Sequence, residues 1–253
     1  MNMVRGLLKL VLKFLFLSTT FFYFVKNVAA QENYESRALV VPSQEAIISS
    51  EIAARIDNVG VKEMDRFQKG DLLIQFDCSL YEAQKDVVSA NANSALIKLK
   101  SDEQMLQMRS IGKYELELSK SEFEKAKAEL HIAELNVERC SISAPFDGAV
   151  EEVLINAYEG VQPQVELMKI IQTDVLELEM VVSSEWISWL TIGHPVKVFI
   201  DEIQKEFNAS ISGIGANVDA VSQTIQLKGT ITDVSPALLP GMSGRVIFCA
   251  KIN

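Results

Sequence analysis

The spacing of apolar residues divides the chain into stretches of different period. Over residues 36–77 they come in short runs: Ala38-Leu39-Val40-Val41 closed by Pro42, then Ala46-Ile47-Ile48, then Ile52–Ile56. A Lys69-Gly70-Asp71 turn signal follows, and after it Leu72-Leu73-Ile74-Gln75-Phe76. Runs this short, bounded by Gly, Pro and polar residues, predict β-strands. From Ser79 to Arg139 the pattern changes. There is no proline, Gly112 is the only glycine, and Ala, Glu, Lys, Leu and Gln dominate. These are good helix formers.

Within that stretch Leu116, Phe123, Leu130 and Val137 recur at every seventh position, with Ser119, Ala126, Ala133 and Cys140 as the companion set. Alternating steps of three and four put all eight on one stripe of a helix, the seam of a coiled coil. The first half repeats more weakly, through Leu80, Ala83, Val87, Ala90 and Ile97, then Leu99 and Leu106 after a drift. Gly112 lies near the midpoint, where a glycine can take the left-handed conformation that ends a helix. The stretch therefore predicts two antiparallel helices, about 79–109 and 113–139, each arm on the order of 40–45 Å long. Ser119-Lys120-Ser121-Glu122 also has the form of a capping box, but the heptad running back to Leu116 favours the earlier start.

After Arg139 strand signals return. Ser141–Ser143 leads into Ala144-Pro145-Phe146-Asp147-Gly148, and Ala149–Ile155, Leu167–Ile171 and Leu176–Val182 follow. Glu185–Leu190 reads as one helical turn; Val196–Ile200, Ala209–Ile214, Thr224–Gly229 and Gly244–Phe248 read as further strands. Short strands at such spacing predict a small barrel or sandwich. The ends of an antiparallel hairpin lie side by side, so residues 46–77 and 140–172 must meet at its base and can close one sandwich together. The fold class is mainly β with an inserted α-helical hairpin. Its parts are a 31–45 N-terminal strand or stub, a 46–77 plus 140–172 sandwich, a 78–139 hairpin and a 173–253 barrel.

The first thirty residues are a different kind of sequence. Arg5, Lys9 and Lys13 precede the apolar run Phe14–Val25, and Val28-Ala29-Ala30 supplies small residues before Gln31. This is the order of a secretory signal peptide cleaved after Ala30. The run has 12 residues, where a spanning helix wants about 20; counted from Leu7 it has 19 positions but includes Lys9 and Lys13. A retained anchor is the alternative. The segment holds four basic residues and no acid, leaving 20 basic against 34 acidic residues, net −14, in the rest of the chain. Such a body excludes nucleic acid as a partner, because a polyanion is bound through clustered Lys and Arg.

Here the chain resembles the HlyD-like membrane fusion proteins, the periplasmic adaptors of efflux pumps, over roughly residues 36–250. The resemblance is carried by Val61–Leu73, by Ile142-Ser143-Ala144-Pro145-Phe146-Asp147-Gly148-Ala149-Val150 directly after the helices, and by Glu159-Gly160-Val161-Gln162-Pro163. Further matches are Gly193-His194-Pro195-Val196 and Leu239-Pro240-Gly241-Met242-Ser243-Gly244. Met64 and Gln164 stand where the family has turn glycines, so both need awkward backbone angles. The family continues past its barrel into a membrane-proximal domain. Here only nine residues follow Gly244, and residues 32–45 are expected to be what represents that domain.

The resemblance implies a lipoyl-like sandwich and a non-enzymatic role, with no cofactor or metal. It also implies a periplasmic location at the inner membrane. The expected partners are an inner-membrane transporter (RND-type preferred, ABC-type second), an outer-membrane channel, and further copies of the chain as a trimer or hexamer. The hairpin tip, Arg109, Ser110, Ile111, Gly112 and Tyr114, would dock on the channel; the bland reading is a solvated turn. A lipoyl-type carrier is the less favoured class, since the turn that would bear its lysine is replaced by the sixty helical residues; a cell-envelope scaffold without transport is the other.

Cys78 and Cys140 flank the helices, and in an oxidising compartment a disulfide between them would clamp the hairpin base. Two buried free thiols is the other reading, and Cys249 reads as a small core residue. His131 and His194 have no spacing suited to a metal pair. Met105 and Met108, and Trp186 and Trp189, read as packing. Ser110-x-x-Lys113 lacks the companion motifs of acyl-enzymes.

Overall fold

The alternation in the last third of the chain closes a barrel. In the computed structural model, which describes residues 34–233 and 235–248, six antiparallel strands run in the order β1-β10-β13-β12-β11-β14. They are β1 (Glu35–Pro42), β10 (Leu176–Ser183), β11 (Pro195–Ile200), β12 (Lys205–Ile214), β13 (Thr224–Ile231) and β14 (Ser243–Phe248). Every second residue points inward: Leu176, Leu178, Met180 and Val182 from β10, and Val196, Val198 and Ile200 from β11, are all buried. Removing each such side chain from water contributes about 1.5–3 kcal/mol.

Within the expected 31–45 strand or stub, Glu35–Pro42 is the strand that closes the barrel: β1 pairs with β10 from Ala38↔Met180 to Pro42↔Leu176, and with β14 from Glu35↔Ile247 to Leu39↔Ser243. Ala38 and Val40 point into the core while Leu39 is exposed. Without β1 the barrel would carry two open edges, on β10 and β14, and closure removes both.

The sandwich is interleaved. One sheet has the order β2-β9-β7-β4 and the other β6-β5-β3-β8. Strands β2 (Glu45–Ser49), β3 (Ala54–Val59), β4 (Arg66–Phe67) and β5 (Leu72–Phe76) precede the helices. Strands β6 (Ser141–Ser143), β7 (Gly148–Val153), β8 (Gly160–Val161) and β9 (Glu166–Gln172) follow them. Each sheet thus takes strands from both sides, and one core holds Ile56, Leu73, Ile74 and Phe76 together with Val150, Leu167, Met168 and Ile170.

The two halves repeat each other with a shift of 94 residues. Met64 N–H donates to Val150 O at 3.0 Å, and Val150 N–H to Asp65 O at 3.0 Å; correspondingly Tyr158 N–H donates to Ile56 O at 2.8 Å, and Ile56 N–H to Glu159 O at 2.8 Å. Gly70 N–H bonds Ala144 O at 2.8 Å, and Gln164 N–H bonds Ser50 O at 2.7 Å. The left-handed residues repeat too, Met64 (φ 70°) with Tyr158 (φ 71°) and Gly70 (φ 91°) with Gln164 (φ 71°). Met64 and Gln164, which stand where the resembled family has turn glycines, therefore do adopt the conformation glycine favours. Gly148 is required for a different reason. A Cβ there would overlap the carbonyl oxygen of Ile171, which explains the glycine that ends the Ala144–Gly148 run.

From β5 the chain enters helix α1 (Ser79–Gln107) and returns through α2 (Lys113–Glu138) to β6. Among the described residues no helix is long and apolar enough to cross a membrane. The expected cleavage point at Ala30 and the thiol of Cys249 lie outside the described residues.

Candidate functional site

The hairpin is the candidate site, and its second helix follows the heptad. All eight positions from Leu116 through Ser119, Phe123, Ala126, Leu130, Ala133 and Val137 to Cys140 are buried or half-buried. The first helix departs from the expected register over its first part, while Leu99 and Leu106 pack as the drifted register expects. Leu80, Val87 and Ile97, placed on the seam by their hydrophobicity, are 63%, 63% and 61% exposed. The packed stripe is instead Tyr81, Lys85, Val88, Ala92, Ala95, Leu99, Asp102 and Leu106. Small residues win these positions because antiparallel helices approach more closely over alanine, with Phe123 and Leu130 supplying the bulk from α2. Lys98 Nζ donates to Glu122 Oε2 at 2.5 Å, which fixes the relative height of the two helices. Both groups are about half exposed, so the pair sets register more than it stabilises.

The base is tied down by several different bonds. Cys78 and Cys140 are joined as a disulfide with Cα atoms 5.7 Å apart, and Cys140 belongs to the sandwich core. Arg139 pairs with Glu51 at 2.7 Å, and Tyr81 Oη donates to Ala53 O at 3.1 Å. Asp77 accepts Ser79 Oγ–H at 2.8 Å, Ser79 N–H at 3.2 Å and Arg55 at 3.0 Å. Those bonds, the Ser79 hydroxyl first, hold the Asp77 carboxyl below its ordinary range. The sign follows: a carboxylate with a lowered folded value supports the base at neutral pH and stops doing so as pH falls through that value.

The tip turns without a left-handed glycine. Arg109 N–H bonds Leu106 O at 2.9 Å and Ser110 N–H bonds Met105 O at 2.8 Å, the paired bonds of a Schellman motif. The left-handed residue is Arg109, at φ 58°. Gly112, expected to hold that conformation, is the extended N-cap of α2 at φ −86° and ψ 160°, and its N–H donates to Glu115 Oε2 at 2.7 Å. Arg109, Ser110 and Gly112 are exposed and Ile111 is half-buried. Met108 and Tyr114 are 69% and 80% exposed. Arg109→Gly is expected to stabilise the chain by about 0.5–1 kcal/mol, because it relieves a left-handed side chain. Denaturant melts check this, and a lower midpoint would contradict it.

Other singled-out residues lie elsewhere. His131 is 3.8 Å from Glu134 on the outside of α2, and His194 packs on the Trp189 ring at 5.4 Å. Trp186 and Trp189 border the barrel core, Met105 and Met108 are exposed, and among the described residues no cluster of His, Cys, Asp and Glu could hold a metal.

No family model matches the chain. An uncharacterized protein of Haemophilus influenzae is 24% identical over 82% of this chain and 55% of its own length. Multidrug export protein EmrA of the same organism is 22% identical over 76% of this chain and 64% of its own. The chain thus spans less than two thirds of each of these relatives. Among solved structures, a MacA-MexA chimeric protein containing the Pseudomonas aeruginosa MexA α-hairpin domain aligns over 87% of this chain and 81% of its own, with a TM-score of 0.72 and 18% identity. The membrane fusion protein Spr0693 of Streptococcus pneumoniae aligns over 86% and 99%, with a TM-score of 0.69 and 16% identity. At these identities the likeness shows the fold alone, the mainly β body with its helical hairpin.

Proposed function

We propose that this chain, having the fold of the membrane fusion proteins, acts as a periplasmic adaptor that joins an inner-membrane transporter to an outer-membrane channel. The observation that carries the reading is a helical hairpin about 40 Å long locked at its base by the Cys78–Cys140 bond and the Arg139–Glu51 pair. A lever fixed at one end and exposed at the other suits bridging, and it breaks no bond in a substrate. The 94-residue repeat supports reading the sandwich as lipoyl-like. The hairpin occupies the connection from β5 to β6 where a carrier would present its lysine, which disfavours the carrier class. The tip meets the channel and the barrel meets the transporter, of the RND type by preference.

The stripe of Leu80, Val87 and Ile97 supports assembly of several copies, as a trimer or hexamer, with hairpins side by side. The Lys98–Glu122 pair sets Val87 at about the height of Ile132 on α2, at 1.5 Å per residue, and Ile132 is 60% exposed. A Val87→Glu/Ile97→Glu variant is expected to keep its melting temperature, since exposed substitutions usually stay within about 0.5 kcal/mol. It should also lose self-association in sedimentation, and unchanged association would remove this face from the interface.

The adaptor reading is tested by solubilising native membranes with the full chain tagged. A polytopic inner-membrane transporter should co-purify. A chain recovered alone, whose deletion leaves export unaffected, would instead make it an envelope scaffold.

A further inference from the structure

The barrel end remote from the sandwich carries an apolar surface. The sandwich is reached through Ser43-Gln44 and Thr173–Val175, at the end where Pro42 pairs with Leu176. At the opposite end β1 begins and β10 ends. The turn from Ser184 to His194 and the loop from Gly215 to Gln223 lie at this end as well, since Ser183 pairs with Thr224, Val196 pairs with Phe248, and Phe248 N–H bonds Tyr34 O. Four branched apolar side chains protrude from these loops: Ile187 at 45%, Ile192 at 69%, Val218 at 43% and Val221 at 97% exposure. Beneath them lies an aromatic layer. Tyr34 sits 5.2 Å from the Trp186 ring and 4.8 Å from the Trp189 ring, and Trp186 is 5.0 Å from Phe248.

Several large apolar side chains protruding together from one end mark an interaction surface, and its surroundings indicate the partner. The two loops contain no Lys or Arg, and their only acids are Glu185 and Asp219. The Asp219 carboxylate is occupied within its own loop, by the N–H groups of Val221 and Ser222 at 2.9 Å. Tryptophan and tyrosine beneath aliphatic tips is the composition of a membrane–water interface.

We propose that this barrel end inserts into the interfacial layer of a lipid bilayer, with Ile187, Ile192 and Val221 at the acyl boundary and the two tryptophans at headgroup depth. The attraction is apolar, so it is insensitive to salt and to the fraction of anionic lipid, unlike a polybasic contact. The proposal uses neither the hairpin nor the relatives.

The chain's two tryptophans are the only ones it has, so its intrinsic fluorescence reports on this end alone. The full chain is reconstituted with phosphatidylcholine vesicles whose acyl chains are brominated near the headgroup. Strong tryptophan quenching is expected, unchanged by raised salt or by added phosphatidylglycerol. An Ile192→Ser/Val221→Ser variant should lose most of that quenching while keeping the wild-type melting temperature, since exposed substitutions usually stay within about 0.5 kcal/mol. Unquenched tryptophans in the wild-type chain would overturn the proposal, as would equal quenching in the variant. A lipid-free dimer that the variant dissociates, with no quenching by lipid, would assign the surface to a second copy instead.

Discussion

A Cys78→Ser/Cys140→Ser chain is expected to be about 2–4 kcal/mol less stable than the oxidised protein, a fall in melting temperature of roughly 5–15 °C for a body of this size. The magnitude follows from topology. The bond spans 62 residues of sequence, and that loop is the whole hairpin. With the cross-link, the denatured chain keeps β5 and β6 near one another; without it, the sandwich must close its interleaved sheets across a free sixty-residue loop. Cys140 adds a local contribution, since it is 3% exposed among Ile74 and Phe76 and serine there buries a hydroxyl. Adding reductant to the wild type separates the two contributions. It should reproduce most of the loss, and a reductant-independent melt together with non-reduced peptides lacking the 78–140 link would contradict the clamp.

Substitution at the tip is expected to act the other way, removing function while sparing stability. An Arg109→Asp/Ile111→Ser chain should fall to the export level of a deletion strain, with a melting temperature within about 2 °C of wild type. Arg109 is the sharper probe, because its left-handed backbone is a cost that Arg109→Gly removes. If the guanidinium is kept there for docking, Arg109→Gly raises stability and lowers export together. Full export by both variants would place docking elsewhere on the hairpin.

What the sequence makes legible depends on where the bulk of each side chain goes. The α2 seam is readable because Leu116, Phe123, Leu130 and Val137 are both large and packed. The first part of the α1 seam is not, because the packed positions are Lys85, Ala92 and Ala95 while the larger Leu80, Val87 and Ile97 face outward; Leu99 and Leu106, large and packed, are readable again. A period count follows the large residues, and here they point to a surface outside the hairpin. The place of the barrel's sixth strand is hidden for a topological reason: Ala38–Val41 reads as a strand from its own alternation, but its partners lie more than 130 residues away. The internal repeat is hidden because it is written in backbone bonds. Met64 and Tyr158 share a conformation and a bonding pattern with no chemical likeness. The tip residues were located by the hairpin's midpoint, yet the left-handed role fell to Arg109, three residues before the glycine that invites the assignment.

The bridging claim is tested most directly by photo-crosslinking in intact cells from two positions, Tyr114 at the hairpin tip and Val181 on the exposed face of the barrel, 80% and 57% exposed. The account predicts an outer-membrane protein in the adduct from position 114 and none from position 181. An adduct from 114 that contains only inner-membrane protein, or the same partner from both positions, would contradict it.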